Sequence, residues 1–333
     1  MVAVRLLERK DRKGNTMNKV KIGTTGLETA PIVFGGNVFG WTTDEAESFR
    51  VLDAFIDLGF NTIDTADVYS AWVDGHVGGE SETILGKWFA ARPGMRDRVT
   101  LFTKVGSDMG GPGEKGLSEA WITKAVEKSL TRLQVETIDL YFSHWPDAEV
   151  SHAETLGAYE KLLKAGKIRA IGASNYDASQ LKASLEVSKA ERLPAYQVIQ
   201  PEYNLYDRGA FEGSLQALCK DADIGVVTYF SLAAGFLTGK YRSADDLGDR
   251  KRSGMVEKYL TRRGMRLLGA LDEVASEHGV QPSEVSLAWI MAQDGVTAPI
   301  ASATSVAQVE SFARAAELNL SDDDLSRLSA AGD

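Results

Sequence analysis

Four polar residues of different types fall at or just beyond the ends of short β-rich runs in the first half of the chain: Asp64, Tyr69, Lys104 and His144. Asp64 lies near the end of the run Asn61–Thr65, with Tyr69 in the loop beyond it; Lys104 closes Val99–Lys104, and His144 closes Ile138–His144. Alone, each has an ordinary reading: a turn-capping carboxylate, a loop ring, a surface cation, a satisfied buried imidazole. Together they make an acid–base set. Reducing a carbonyl needs a hydride at carbon and a proton at oxygen. A free tyrosine, with a pKa of about 10, is a slow acid near neutrality. An adjacent ammonium favours its phenolate and is expected to lower that value. Tyr69 is therefore the expected proton donor, with Lys104 modulating it and Asp64 fixing the lysine. His144 would hydrogen-bond the carbonyl and orient it.

Such a set needs strands that deliver residues to one end of a sheet. From Val20 onward, β-rich runs alternate with amphipathic helices. A small hairpin is expected at Val20–Gly23 and Glu28–Ala30, turning on Thr-Thr-Gly. Strands are then expected at Ile32–Gly35, Asn61–Thr65, Val99–Lys104, Ile138–His144, Ile168–Gly172, Tyr196–Gln200, Gly225–Tyr229 and Ala298–Ala301. Helices fall between them: Asp44–Leu58, Glu82–Ala91, Ser118–Leu133, Ala153–Ala165, Ala178–Ser188 and Glu212–Asp221. A helix pair, Met255–Glu277 and Ser283–Gln293, precedes the last strand, and a final helix follows Ser305. This rhythm predicts parallel strands joined by right-handed crossovers. A doubly wound sheet would share it, but no G-x-G-x-x-G follows the first strand. Polar residues at the C-terminal ends of several strands point to a single (β/α)8 (TIM) barrel, with the N-terminal β-hairpin and extra helices added.

Bulk properties narrow the partners. Lys and Arg number 37 against 47 Asp and Glu, a formal charge of −10. That balance disfavours nucleic acid, whose phosphates require a basic face. No apolar run reaches the roughly 18 residues that would span a bilayer. The single cysteine, Cys219, excludes an internal disulfide and suits a reducing, cytoplasmic setting; its expected place is a helix core. The basic stretch 1–16 lacks the apolar core of an export signal and is expected to be an extension or a misassigned start, with 17–333 forming the barrel. Four histidines without an H-E-x-x-H or a cysteine cluster give metal catalysis no support. The Gly-rich stretch Gly106–Gly116 lacks the Gly-Lys-Ser/Thr ending of a phosphate loop and reads as a flexible connection.

Six segments in combination give the chain a resemblance to the aldo-keto reductase superfamily. They are Asn61–Tyr69 (NTIDTADVY), Thr103-Lys104, Ile138–Asp147 (IDLYFSHWPD), Ile171–Asn175 (IGASN), Gln200–Asn204 (QPEYN) and Leu237–Tyr241 (LTGKY). The entry Gly35–Trp41 (GGNVFGW) is most similar to the bacterial reductases related to potassium-channel β subunits. The resemblance implies that Asp64, Tyr69, Lys104 and His144 are the catalytic tetrad and that NADPH, with NADH as the lesser alternative, binds extended over the barrel. It implies nicotinamide contacts from Ser174, Asn175 and Gln200, with Tyr229 stacked on the ring. Phe230, Ser231, Leu232 and Gly235 would wrap the pyrophosphate, with Lys240 as counter-charge, although many relatives have Ser-Pro where Phe230-Ser231 stands here. Gly36 and Asn37 belong to the same cofactor set.

At the adenosine end the pattern departs further. Where relatives carry glycine, then arginine or serine, and later asparagine, this chain has Ser302, Thr304 and Phe312, while Gln308 keeps its place. The hydroxyls of Ser302 and Thr304, the last helix's first turn, and Arg250 or Arg252 are the expected anion contacts. Phe39, Trp41, Trp72 and Trp145 are the expected substrate walls, whereas Trp88 and Trp289 fall within helices as packing residues. The substrate expected is a small carbonyl compound or alcohol. Two rival readings remain: a cofactor-binding, redox-sensing subunit with little turnover, and a Schiff-base lyase using Lys104 as nucleophile. Oligomeric state has no signature in the sequence.

Overall fold

The computed structural model describes residues 17–248 and 251–333; the expected extension 1–16 lies outside them. Eight parallel strands close into a barrel: β3 (Val33–Gly35), β4 (Thr62–Asp64), β5 (Thr100–Val105), β6 (Ile138–Ser143), β7 (Ile168–Ser174), β8 (Val198–Gln200), β9 (Gly225–Thr228) and β10 (Ala298–Ala301). Closure is made by β10, which pairs with β9 through Ala298–Val227 and with β3 through Ile300–Val33.

The barrel is filled, not hollow. Val33, Phe102, Leu140, Phe142, Val198, Val227 and Ile300 interlock inside it. The hairpin of β1 (Val20–Lys21) and β2 (Glu28–Thr29) closes the N-terminal end, and Ile22 reaches from its turn into the same cluster. That approach needs Gly23, since a Cβ there would lie 2.5 Å from the Gly225 nitrogen and 2.6 Å from the Gln197 carbonyl. With the bottom sealed, the C-terminal mouth is where the loops can build a site.

Outside the strands lie α1 (Glu45–Asp57), α2 (Glu80–Ala90), α3 (Glu119–Leu133), α4 (His152–Lys164), α5 (Ala178–Glu191) and α6 (Ser214–Asp221). Their starts follow local chemistry. Asp44, Ser118, Ser151 and Asp177 each accept a backbone N–H three residues on, satisfying donors that a helix start leaves free. Cys219 in α6 is buried in the core, which pushes its thiol up to about 12; Trp88 and Trp289 are likewise fully buried.

Two expectations fail in the last third. The helix expected over Met255–Glu277 is broken into α7 (Ser253–Val256), a 3-10 turn at Glu257–Tyr259, and α8 (Arg262–His278). Thr261 leaves the helical conformation and accepts from the Gly264 nitrogen at 3.0 Å, starting a new helix. After α9 (Pro282–Met291), the final helix is two: α10 (Val306–Glu317) and α11 (Asp322–Gly332), the second begun by a Ser321–Asp324 capping box. No helix among the described residues is long and apolar enough to cross a membrane.

Candidate active site

Register brings the polar residues together. β4 and β5 pair through Asp64–Phe102, so Asp64 and Lys104 stand on adjacent strands at the same mouth. The loop after β4 then carries Tyr69 back over them. Lys104 Nζ is wholly buried and donates to three oxygens: Asp64 Oδ2 at 2.6 Å, the Thr65 carbonyl at 2.8 Å and Tyr69 Oη at 2.9 Å. The other Asp64 oxygen accepts from Gln200 Nε2 at 3.0 Å. Three acceptors around one nitrogen describe an ammonium with its donors fully used.

Burial shapes the acidities. It pushes Asp64 up and Lys104 down, while each draws the other back toward its charged form. Burial and the neighbouring Asp64 carboxylate hold the Tyr69 phenol well above its ordinary value. The expectation of a lowered phenol is not met: burial and the Asp64 and Asp67 carboxylates hold it up, and Tyr69 keeps its proton. Among the described residues its only carboxylate contact is a long 3.5 Å to Asp64 Oδ2, and no good acceptor there holds that hydrogen. His144, whose ring centre is 6.0 Å from that of Tyr69, is held well below its ordinary value by burial and by Lys104, and is neutral.

A cavity of about 880 Å³ extends from these groups along the barrel mouth. It is lined by Tyr69, Asp64 and His144, and by Ser174, Asn175, Gln200, Tyr229, Phe230, Ser231, Leu232, Gly235 and Lys240. Asn37, Ser302, Thr304 and Gln308 also line it; Trp41, Trp72 and Trp145 are aromatic walls, with the ring of Trp72 centred 5.5 Å from that of Trp41 and 6.0 Å from that of Tyr69. Asn175, in a left-handed conformation, donates to the His144 carbonyl at 2.8 Å and accepts from Tyr229 Oη at 2.6 Å, which fixes the ring of Tyr229 against the cavity. Ala233, Ala234 and Gly235 are consecutive left-handed residues that bend the loop after β9 into a concave turn beside Lys240.

Some expected residues fall elsewhere. Phe39 is fully buried and stacks on Phe34 at 5.3 Å, so it belongs to the core rather than the substrate wall. Gly36 is buried against Asp64 and Ser81, where a Cβ would meet oxygens at 3.0 and 3.1 Å, while its neighbour Gly35 lines the cavity. Lys104 sits beneath Tyr69 and does not line the cavity. Arg250 lies outside the described residues, and Arg252 lines the cavity with its guanidinium over the Trp41 ring at 5.2 Å. Ser302 donates to Asn37 Oδ1 at 2.6 Å, and Gln308 Oε1 accepts from the Thr304 nitrogen at 2.8 Å. Met255, Gln281, Ser283 and Ser311 reach the cavity unforeseen, since only tertiary packing brings them there. Ser107, beside the cavity-lining His144, is likewise unforeseen; its Oγ is 3.1 Å from His144 Nδ1.

Fold and site define a (β/α)8-barrel protein with a buried acid–base centre at the C-terminal mouth. The Aldo/keto reductase family model matches residues 31–333, and the chain belongs to that family of NAD(P)H-using oxidoreductases. It is 34% identical over 311 residues to the uncharacterized oxidoreductase YrpG of Bacillus subtilis, covering 91% of this chain and 92% of that one. The aldo-keto reductase yakc [NADP(+)] of Schizosaccharomyces pombe is 31% identical, covering 89% of this chain and 87% of its own length. A probable voltage-gated potassium channel subunit beta of Oryza sativa is 30% identical, covering 88% and 89%.

Proposed function

We propose that the protein is an NADPH-dependent carbonyl reductase, reducing an aldehyde or ketone to an alcohol and able to run the reverse. One observation carries this: Tyr69 lines the cavity with Lys104 Nζ 2.9 Å from its hydroxyl and, among the described residues, no good acceptor for its proton. The dinucleotide, when bound, supplies the hydride. The residues present fit it. Ser174, Asn175 and Gln200 offer amide and hydroxyl groups for a carboxamide, and Tyr229 offers a ring fixed by Asn175. The left-handed turn ending at Gly235, with Lys240, suits a pyrophosphate. Ser302, Thr304 and Gln308 form a hydroxyl- and amide-bearing end for the adenosine. Their hydroxyls, together with the NADP(+) in the name of the yeast relative, favour NADPH over NADH.

Each side chain of the cluster has a distinct part. Tyr69 gives its proton to the substrate oxygen. The Lys104 ammonium then stabilises the phenolate left behind, and Asp64 keeps that ammonium charged and in place. His144 donates a hydrogen bond that aligns the carbonyl. Trp41, Trp72 and Trp145 exclude water and wall the substrate. The Schiff-base reading loses ground, because every Nζ proton of Lys104 is engaged. The sensor reading draws on the similarity to potassium-channel β subunits. We place the enzyme in the cytoplasm, because its one thiol is buried and unpaired.

The test is a fluorescence titration with NADPH and NADH, followed by loss of reduced-cofactor absorbance with a panel of aldehydes and ketones. Turnover that falls about a hundred- to ten-thousand-fold in Tyr69→Phe, with cofactor affinity unchanged, is the expected result. Binding without turnover across the panel would favour the sensor. Failure to bind either cofactor would overturn the proposal.

A further inference from the structure

The glycine-rich loop Gly106–Gly116 returns one polar side chain to the barrel mouth. Its ends are pinned by the Gly116 nitrogen, which donates to the Gly106 carbonyl at 3.0 Å. Gly106 itself has φ +119°, a conformation that side-chain-bearing residues rarely adopt. The chain emerges from this bend with Ser107 Oγ 3.1 Å from His144 Nδ1.

His144 is otherwise firmly held. Its nitrogen donates to the Val105 carbonyl at 2.8 Å, its carbonyl accepts from Asn175, and its ring lies stacked on Trp145 at 5.8 Å. What that framework leaves open is the tautomer. A neutral imidazole carries one N–H, and the group opposite one nitrogen decides what the other presents. If Ser107 donates to Nδ1, Nε2 carries the proton and can donate to a substrate oxygen. If Nδ1–H donates to Ser107, Nε2 turns a lone pair toward that oxygen and repels it. The serine makes no other hydrogen bond among the described residues, so Nδ1 is the acceptor at hand for its hydroxyl proton.

We propose that Ser107 is a positioning residue that sets His144 in the tautomer protonated on Nε2, the form able to donate to the carbonyl oxygen. This rests on the reading of His144 as the carbonyl-orienting group.

The experiment is long-range ¹⁵N–¹H correlation NMR on the full, ¹⁵N-labelled chain, with the His144 signals assigned by their loss in His144→Gln. The wild type should show the Nε2–H pattern, Ser107→Ala a mixture of tautomers, and Ser107→Thr, which keeps the hydroxyl, a return toward wild type. In parallel, Ser107→Ala should lower kcat for carbonyl reduction about tenfold, as loss of one orienting hydrogen bond implies. NADPH affinity should stay the same, and Ser107→Thr should recover most of the rate. An Nδ1–H wild type would overturn the proposal, and so would a Ser107→Ala variant with unchanged tautomer and kcat. The NMR result needs no turnover. A serine-dependent tautomer in a protein that reduces no carbonyl would support the positioning role while defeating the reductase reading.

Discussion

Tyr69, Lys104 and Asp64 act as one buried unit, so changing one member exposes what the others depend on. Asp64→Ala would leave the Lys104 ammonium fully buried without its counter-charge, and Gln200 without an acceptor. Breaking a buried pair in this way costs about 3–5 kcal/mol. Urea unfolding should show a loss of that order, and a midpoint near wild type would mean the lysine is neutral in the fold. Acidity gives a second prediction. Because Tyr69 is held above its ordinary value, the reduction rate should show no alkaline loss from the phenol up to about pH 9. A decline centred near neutrality would restore the lowered phenol that the sequence suggested. His144 contributes with the opposite sign. Its folded value is depressed, so its contribution to stability is full above about 6.5, the unfolded value, and is lost as pH falls through the window below it. His152, also lowered by burial, adds a slope in the same direction. Between pH 7.5 and 5.5, roughly, wild type should therefore lose more stability than His144→Gln. Equal losses in denaturant titrations would show that His144 binds its proton equally well folded and unfolded.

At the scale of elements, Gly23 shows how a turn far from the chemistry supports the site. Its Cα faces the Gly225 and Gln197 backbones, which cannot move without disturbing β8 and β9. Gly23→Ala should lift Ile22 from the barrel floor and cost roughly 1–3 kcal/mol by overpacking. A fall in denaturation midpoint checks it, and an unchanged midpoint would mean the hairpin is not a structural plug. The hairpin and all eight strands were legible in the sequence, because short β-rich runs and turn residues are local signals. The places of Asp64, Tyr69, Lys104 and His144 were legible because each lies near or just beyond the C-terminal end of a strand. What escaped depended on long-range packing. Leu260-Thr261 breaks a helix that apolar periodicity alone continues; the Thr261 cap and Gly264, packed against the Tyr259 carbonyl, are the signal that was available. Ser321 with Asp324 likewise announces α11. Phe39 shares the loop of Trp41 but turns inward to Phe34, a choice that depends on χ angles and neighbours rather than on pattern. The phenol's acidity was misjudged because the lysine is visible in the sequence and the depth of burial is not.

Across the whole molecule, the charge of −10 would repel an anionic dinucleotide, yet the cavity is lined differently. Its one described carboxylate is Asp64, neutralised by Lys104, while Lys240, Lys251 and Arg252 contribute cations. A local positive mouth on an acidic body draws a phosphate ligand only over short range, because the surrounding acidic surface cancels the field farther out. Salt should therefore act mainly on contacts inside the mouth. The Debye length is about 10 Å at 0.1 M and about 3 Å at 1 M ionic strength. NADPH affinity should fall steadily as salt rises across that range, more steeply than for the less charged NADH. Lys240→Met should flatten the NADPH dependence while leaving the acid–base cluster intact. Fluorescence titrations at a series of salt concentrations would measure both slopes. Parallel slopes for the two cofactors would mean that the adenosine end reads no second phosphate, and Ser302 and Thr304 would then lose their proposed role. A slope unchanged in Lys240→Met would instead place the decisive cation elsewhere on the rim, with Arg252 over Trp41 the next side chain to remove.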